Sequence, residues 1–91
     1  MRFMAVYTYK PDCHCSLLER FFEAGAEPPA GITMLERWHD VGGGRGFTLF
    51  EADDASAIVQ WNLAWTDLVS MEVVPVIDDA KVIGCIAQKP D

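Results

Sequence analysis

The chain has 91 residues, with seven Lys/Arg against fourteen Asp/Glu and a formal charge of −7. That length allows one domain, residues 1–91, and a 51% apolar composition excludes intrinsic disorder. The acidity argues against nucleic acid and anionic membrane surfaces as partners, because both require a Lys/Arg face.

Residues 2–9 read as a strand, with Phe3, Ala5, Tyr7 and Tyr9 on one face and Met4, Val6 and Thr8 on the other. Both faces are apolar, which predicts a central strand covered on both sides. Lys10-Pro11-Asp12 ends it. Ser16-Leu17-Leu18-Glu19 has the form of a capping box. The stripe Leu18, Phe21, Phe22 and Gly25 predicts a helix over about residues 13–25, with Arg20, Glu19 and Glu23 facing water. Gly25 suits a left-handed cap, and Pro28-Pro29 forbids continuation.

Ile32 to His39 reads as a second strand, in which Met34, Glu36 and Trp38 alternate with Thr33, Leu35, Arg37 and His39. Gly42-Gly43-Gly44 is a turn signal, and Gly46 to Glu51 forms the return strand of a hairpin. Asp53 or Asp54 can cap a second helix with the stripe Ile58, Trp61, Trp65 and Leu68. Ser70 to Ile77 is the fourth strand. Pro75 cannot donate to a ladder, so this strand belongs at an edge or carries a bulge. Asp78-Asp79 reads as a turn, and Val82 to Ala87 as a short extra strand.

The order β-α-β-β-α-β predicts an α+β fold: a four-stranded antiparallel sheet with both helices on one face and the first and third strands central. This is the ferredoxin-like arrangement. A domain this small buries only about 60–65% of the surface its unfolded chain exposes. The uncovered sheet face would carry apolar residues from several strands, so a twofold dimer packed sheet to sheet is expected, forming a dimeric α/β barrel.

The segments MRFMAVYTYKP, GITMLERWHDVGGGRGFTLFEADD and WTDLVSMEVVPVIDD resemble the domain-of-unknown-function family 3303 over nearly the whole chain. Arg37-Trp38-His39, the Gly-rich turn, Gly46-Phe47 and Glu51 carry the more specific part. The resemblance implies a ferredoxin-like fold and a dimeric α/β barrel. It implies no reaction, because the family's activity is not established. Cys13-His14-Cys15 departs from the family's pattern.

No apolar run approaches the roughly 18 residues of a membrane span, and the start lacks the regions of a signal peptide. A cytoplasmic location is expected. Cys13, Cys15 and Cys85 are too few and odd in number for a secreted disulfide framework. Cys13-His14-Cys15 lacks the ligand spacing and count of structural zinc, so no metal is assigned. Gly42 to Gly46 precedes a strand and lacks the Lys-Ser/Thr of a phosphate loop, which makes it a turn. No cofactor is expected.

Polar residues on strands are the informative ones. Arg37, His39 and Glu51 fall on adjacent hairpin strands, and a His beside a carboxylate is the minimal acid/base pair. With Tyr7, Tyr9 and Trp38 they could form a polar-tipped, aromatic-walled pocket at or beside the sheet–sheet interface, binding a small organic molecule. The competing reading is an Arg37–Glu51 cross-strand ion pair with no pocket. Trp61 and Trp65, at helical spacing, belong to the core. Hairpin register separates the readings, since one residue of slip moves a side chain to the other face. Three functions stay open: a ligand-binding homodimer, a cofactor-independent enzyme of the dimeric-barrel type using His39, and a structural protein without a cavity.

Overall fold

In the computed structural model, which describes residues 1–24 and 28–88, the element order is β1 (Arg2–Tyr9), α1 (His14–Ala24), β2 (Ile32–His39), β3 (Arg45–Ala52), α2 (Ala55–Leu63), β4 (Val69–Val76) and α3 (Asp79–Ala87). The strands form one antiparallel four-stranded sheet in the order β2-β3-β1-β4. β1 and β3 are therefore central, and β4 is an edge strand, which is where Pro75 is tolerated. This is the ferredoxin-like arrangement with a third helix added at the end.

The core sits between the sheet and α1 and α2. Burial along β3 alternates: Gly46, Thr48, Phe50 and Ala52 point toward the helices, while Phe47, Leu49 and Glu51 point away. Phe50 is fully buried and meets Trp61 of α2 edge-on, ring centroids 5.1 Å apart. Ala5 and Ala57 leave room for that Trp ring. A second cluster joins Leu17 of α1 to Leu68 and Val69. Asp54 caps α2 by accepting a bond from the Ser56 amide at 2.9 Å.

α1 differs from the sequence pattern in three respects. The Cys13 carbonyl accepts the amide of Leu17, so Ser16 lies inside the helix and not at its cap. The stripe is rotated by one residue: Leu17 is buried, Leu18 is exposed and Phe22 is 84% exposed. The i, i+4 pair Leu17 and Phe21 faces the sheet. Arg20 does not face water alone, for its Nη1 and Nη2 donate to Asp67 Oδ1 and Oδ2 at 2.7 Å each. That fork ties α1 to the segment after α2. The cap expected at Gly25 lies outside the described residues.

The segment expected to be a short extra strand is a helix. Asp78 caps α3 by accepting from the Lys81 amide at 2.9 Å, and Asp79 lies in the favourable first turn. Val82, Ile83 and Ile86 fit a helical stripe, a period the short apolar run concealed. No residue of α3 is buried, and Ile83 and Ile86 are about two-thirds exposed, at 64% and 66%. The radius of gyration is 15.5 Å, whereas a compact chain of this length has about 12 Å.

The hairpin holds one irregularity with large consequences. Met34 pairs with Phe50 and Glu36 with Leu49, so Leu35 is an extra residue in β2. Such a bulge shifts the alternation by one. Ile32 and Met34 face the helices, and beyond the bulge Arg37 and His39 do so as well. Strict alternation puts Glu36 and Trp38 there instead. The turn is closed by Gly43 and Gly44, both at positive φ, and by Asp40, whose carboxylate accepts from the Gly42 amide and Arg45 Nε.

Candidate functional site

A cavity of about 170 Å³ lies between the sheet and the helices. It is on the opposite side of the sheet from the interface where a pocket was expected. Its floor is the inward face of the strands: Tyr7 and Tyr9 of β1, Arg37 and His39 of β2, Thr48 of β3, and Val69 and Met71 of β4. α1 supplies Leu17, Leu18, Phe21 and Phe22, and Trp61 and Trp65 close the α2 side. Nearly all of this lining is carbon.

Register explains the floor. His39, Gly46, Tyr7 and Met71 are successive cross-strand partners, forming one row across the sheet. Arg37, Thr48, Ala5 and Val73 form the next row. The Tyr7 and Tyr9 rings lie nearly parallel, 6.4 Å apart. Burial, and secondarily the neighbouring Tyr7, pushes the Tyr9 hydroxyl above its ordinary value of 10.0. That phenol stays neutral at physiological pH.

Phe21 organises the β2 side. The Arg37 guanidinium lies over its ring at 5.2 Å, and the His39 ring meets it edge-on at 6.4 Å. A cation over an aromatic face in an apolar wall is attracted by the ring quadrupole. His39 is itself exposed, so it stands at the cavity's opening.

Four of the six residues singled out in the sequence therefore line one cavity: Tyr7, Tyr9, Arg37 and His39. The other two do not. Glu51 faces away from the helices, and its carboxylate meets Arg2 Nε at 3.3 Å. The Arg37–Glu51 pair of the competing reading thus gives way to Arg2–Glu51, and His39 has no support from Glu51. Trp38 pairs with Phe47 on the open face and is 45% exposed. Both misplacements follow from the sheet faces: Glu51 alternates with buried Phe50, and the bulge turns Trp38 outward.

Sequence reasoning missed the helix side of the cavity. Leu17 and Phe21 carry the signal, an i, i+4 apolar pair, but the neighbouring Leu18 and Phe22 give an equally good stripe. Thr48 was legible as a residue between Gly46 and Phe50 on the inward face. Among the described residues no His/Cys/Asp/Glu group is placed to hold a metal ion.

Over residues 1–90 the chain matches the domain of unknown function DUF3303. The chain belongs to this family. The fold of this chain is similar to that of Rv0793 from Mycobacterium tuberculosis, at 14% identity and a TM-score of 0.51, covering 87% of this chain and 96% of that one. A second similar structure comes from Deinococcus radiodurans, a protein provisionally assigned as an antibiotic biosynthesis monooxygenase. It has 12% identity and a TM-score of 0.46, with 86% of this chain and 94% of that chain covered. At 14% identity the likeness to Rv0793 concerns the fold alone. No curated protein matches the sequence.

Proposed function

We propose that this DUF3303 chain binds a small, largely apolar molecule in the cavity between its sheet and its helices. The observation that carries the reading is the cavity's composition: an aromatic and aliphatic wall with a few polar groups converging from β1 and β2. Its volume of about 170 Å³ limits the ligand to roughly one ring, since an apolar protein cavity of about 150 Å³ holds a benzene. Among the described residues no carboxylate lines the cavity, which favours recognition over acid/base chemistry through a His–carboxylate pair.

The same reading makes the molecule a homodimer. Met4, Val6, Phe47, Leu49, Trp38 and Val74 share the face turned away from the helices, and Trp38 and Val74 are 45% and 40% exposed. An apolar sheet face of this kind is covered most economically by its own twofold copy. The exposed stripe of α3 adds to the surface available to that copy. The three cysteines are free, which suits a reducing compartment such as the cytoplasm.

The test is ligand-observed NMR with single-ring aromatic compounds, read together with thermal unfolding. A bound ligand raises the melting temperature by mass action and shifts the Tyr7, Phe21 and Trp61 resonances. Saturating concentrations that leave both unchanged would refute the cavity reading.

A further inference from the structure

The row His39–Gly46–Tyr7 has an unusual centre. A Cβ at Gly46 would fall within the Tyr7 phenol, closest to Cζ, Cε2 and the hydroxyl oxygen. Gly46 is buried, and it is not among the glycines with positive φ. It is therefore required for space and not for backbone freedom. Glycine inside a strand commonly marks such a close approach.

The direction of that approach matters. Tyr7 belongs to β1, and it reaches across the β3 backbone toward β2. Its hydroxyl end occupies the slot that a side chain at Gly46 would fill, and the cross-strand partner of Gly46 on the far side is His39. Adjacent inward positions in an antiparallel pair are separated by about 5 Å. The missing side chain thus brings a phenol from one strand and an imidazole from the strand two places away to the same end of the cavity.

We propose that Tyr7 and His39 together form the oxygen-recognising end of this cavity, with Gly46 as the residue that positions them. The ligand class is a single aromatic ring carrying one hydroxyl. The ring lies among Phe21, Trp61 and Trp65, and its oxygen faces the Tyr7 hydroxyl and the imidazole. Both groups can donate and accept hydrogen bonds, so the pair accommodates either end of an O–H dipole. This rests on the cavity reading above and adds to it the identity of the polar contact.

The experiment compares p-cresol with toluene, which have the same ring and methyl group and differ in one hydroxyl. Affinities are measured by NMR titration of the whole chain. The wild type is expected to prefer p-cresol by about tenfold, the effect of one or two hydrogen bonds at a partly hydrated site. In Tyr7→Phe and in His39→Leu the preference falls to about two- to threefold, the loss of one such bond in each.

Gly46→Ala drives the Tyr7 ring out of its slot and is expected to lower the preference to the two- to threefold of Tyr7→Phe. Because this change also crowds the sheet, Gly46→Ala/Tyr7→Val serves as the second variant. It removes the clash and regains thermal stability, while the preference stays at the two- to threefold of Tyr7→Phe, because the Tyr7 hydroxyl is gone and His39 remains. A tenfold preference regained in the double variant would overturn the role given to the Tyr7 hydroxyl. Failure of both compounds to bind would overturn the cavity reading itself. Toluene binding without a preference for p-cresol, or a preference that survives Tyr7→Phe and His39→Leu, would overturn only the assignment of the pair.

Discussion

Arg37 stands directly opposite Thr48 across the β2–β3 ladder, because β2 carries one residue more than β3 at Leu35. That single extra residue decides which side chains of β2 reach the cavity. Deleting Leu35 restores strict alternation between Met34 and Glu36 and leaves every later residue on its present face. The variant is expected to keep the Arg37–Thr48 and His39–Gly46 pairings, read as cross-strand Hα and amide contacts by NMR. A Thr48 contact made by Glu36 in the wild type, passing to Arg37 only on deletion, would show that β2 is not bulged.

Leu49 sits on the face turned away from the helices, between inward-facing Thr48 and Phe50. Leu49→Asp therefore tests the dimer without entering the core. The expected result is a folded monomer by light scattering, with the far-ultraviolet circular dichroism of the wild type. A dimer that persists would place the subunit contact elsewhere, and a wholly unfolded chain would contradict the assigned face.

Trp61 is 7% exposed and closes the core against Phe50. Trp61→Ala removes a large side chain from the core cluster beside the cavity. The expected loss is about 3–5 kcal/mol by denaturant unfolding. A loss below about 1 kcal/mol would mean that the ring is not packed as described.

Asp67 couples stability to pH. Its hydrogen bonds from Arg20 hold the carboxyl below its ordinary value of 3.8. A carboxyl with a lower pKa in the folded state leaves the unfolded chain binding more protons. Its stabilisation is complete above about pH 4 and is lost as the pH falls through the folded value. Asp67→Asn is expected to flatten the acid limb of a plot of melting temperature against pH, most visibly below pH 4. An unchanged limb would assign acid unfolding to other carboxyls. Because the pair is exposed, the effect is expected to shrink in high salt.

Much of this protein was written in local patterns. Period-two alternation located β1 to β4, the glycine run located the hairpin, and Asp54 with Ile58 and Trp61 located α2, whereas Trp65 and Leu68 of the expected stripe lie in turns beyond its end at Leu63. The order of elements, with the rule that crossovers are right-handed, then left the ferredoxin-like sheet as the simplest packing. Tyr7, Tyr9, Arg37 and His39 could be singled out because polar and amphipathic groups on buried strands need a reason to be there. The tertiary structure decided what local patterns could not carry. A bulge has no strong signature of its own, so the face of Arg37, His39 and Trp38 was fixed by pairing with β3. Two overlapping apolar stripes on α1 were equal as sequence, and only packing against Leu68 and Val69 chose Leu17 over Leu18. The apolar run after Asp79 is too short for its period to be read, and the cap at Asp78 made it a helix. The Tyr7 ring over Gly46, with His39 as the next cross-strand partner, joins three strands. A contact of that kind exists only once the sheet has formed, since the chain alone holds these residues far apart.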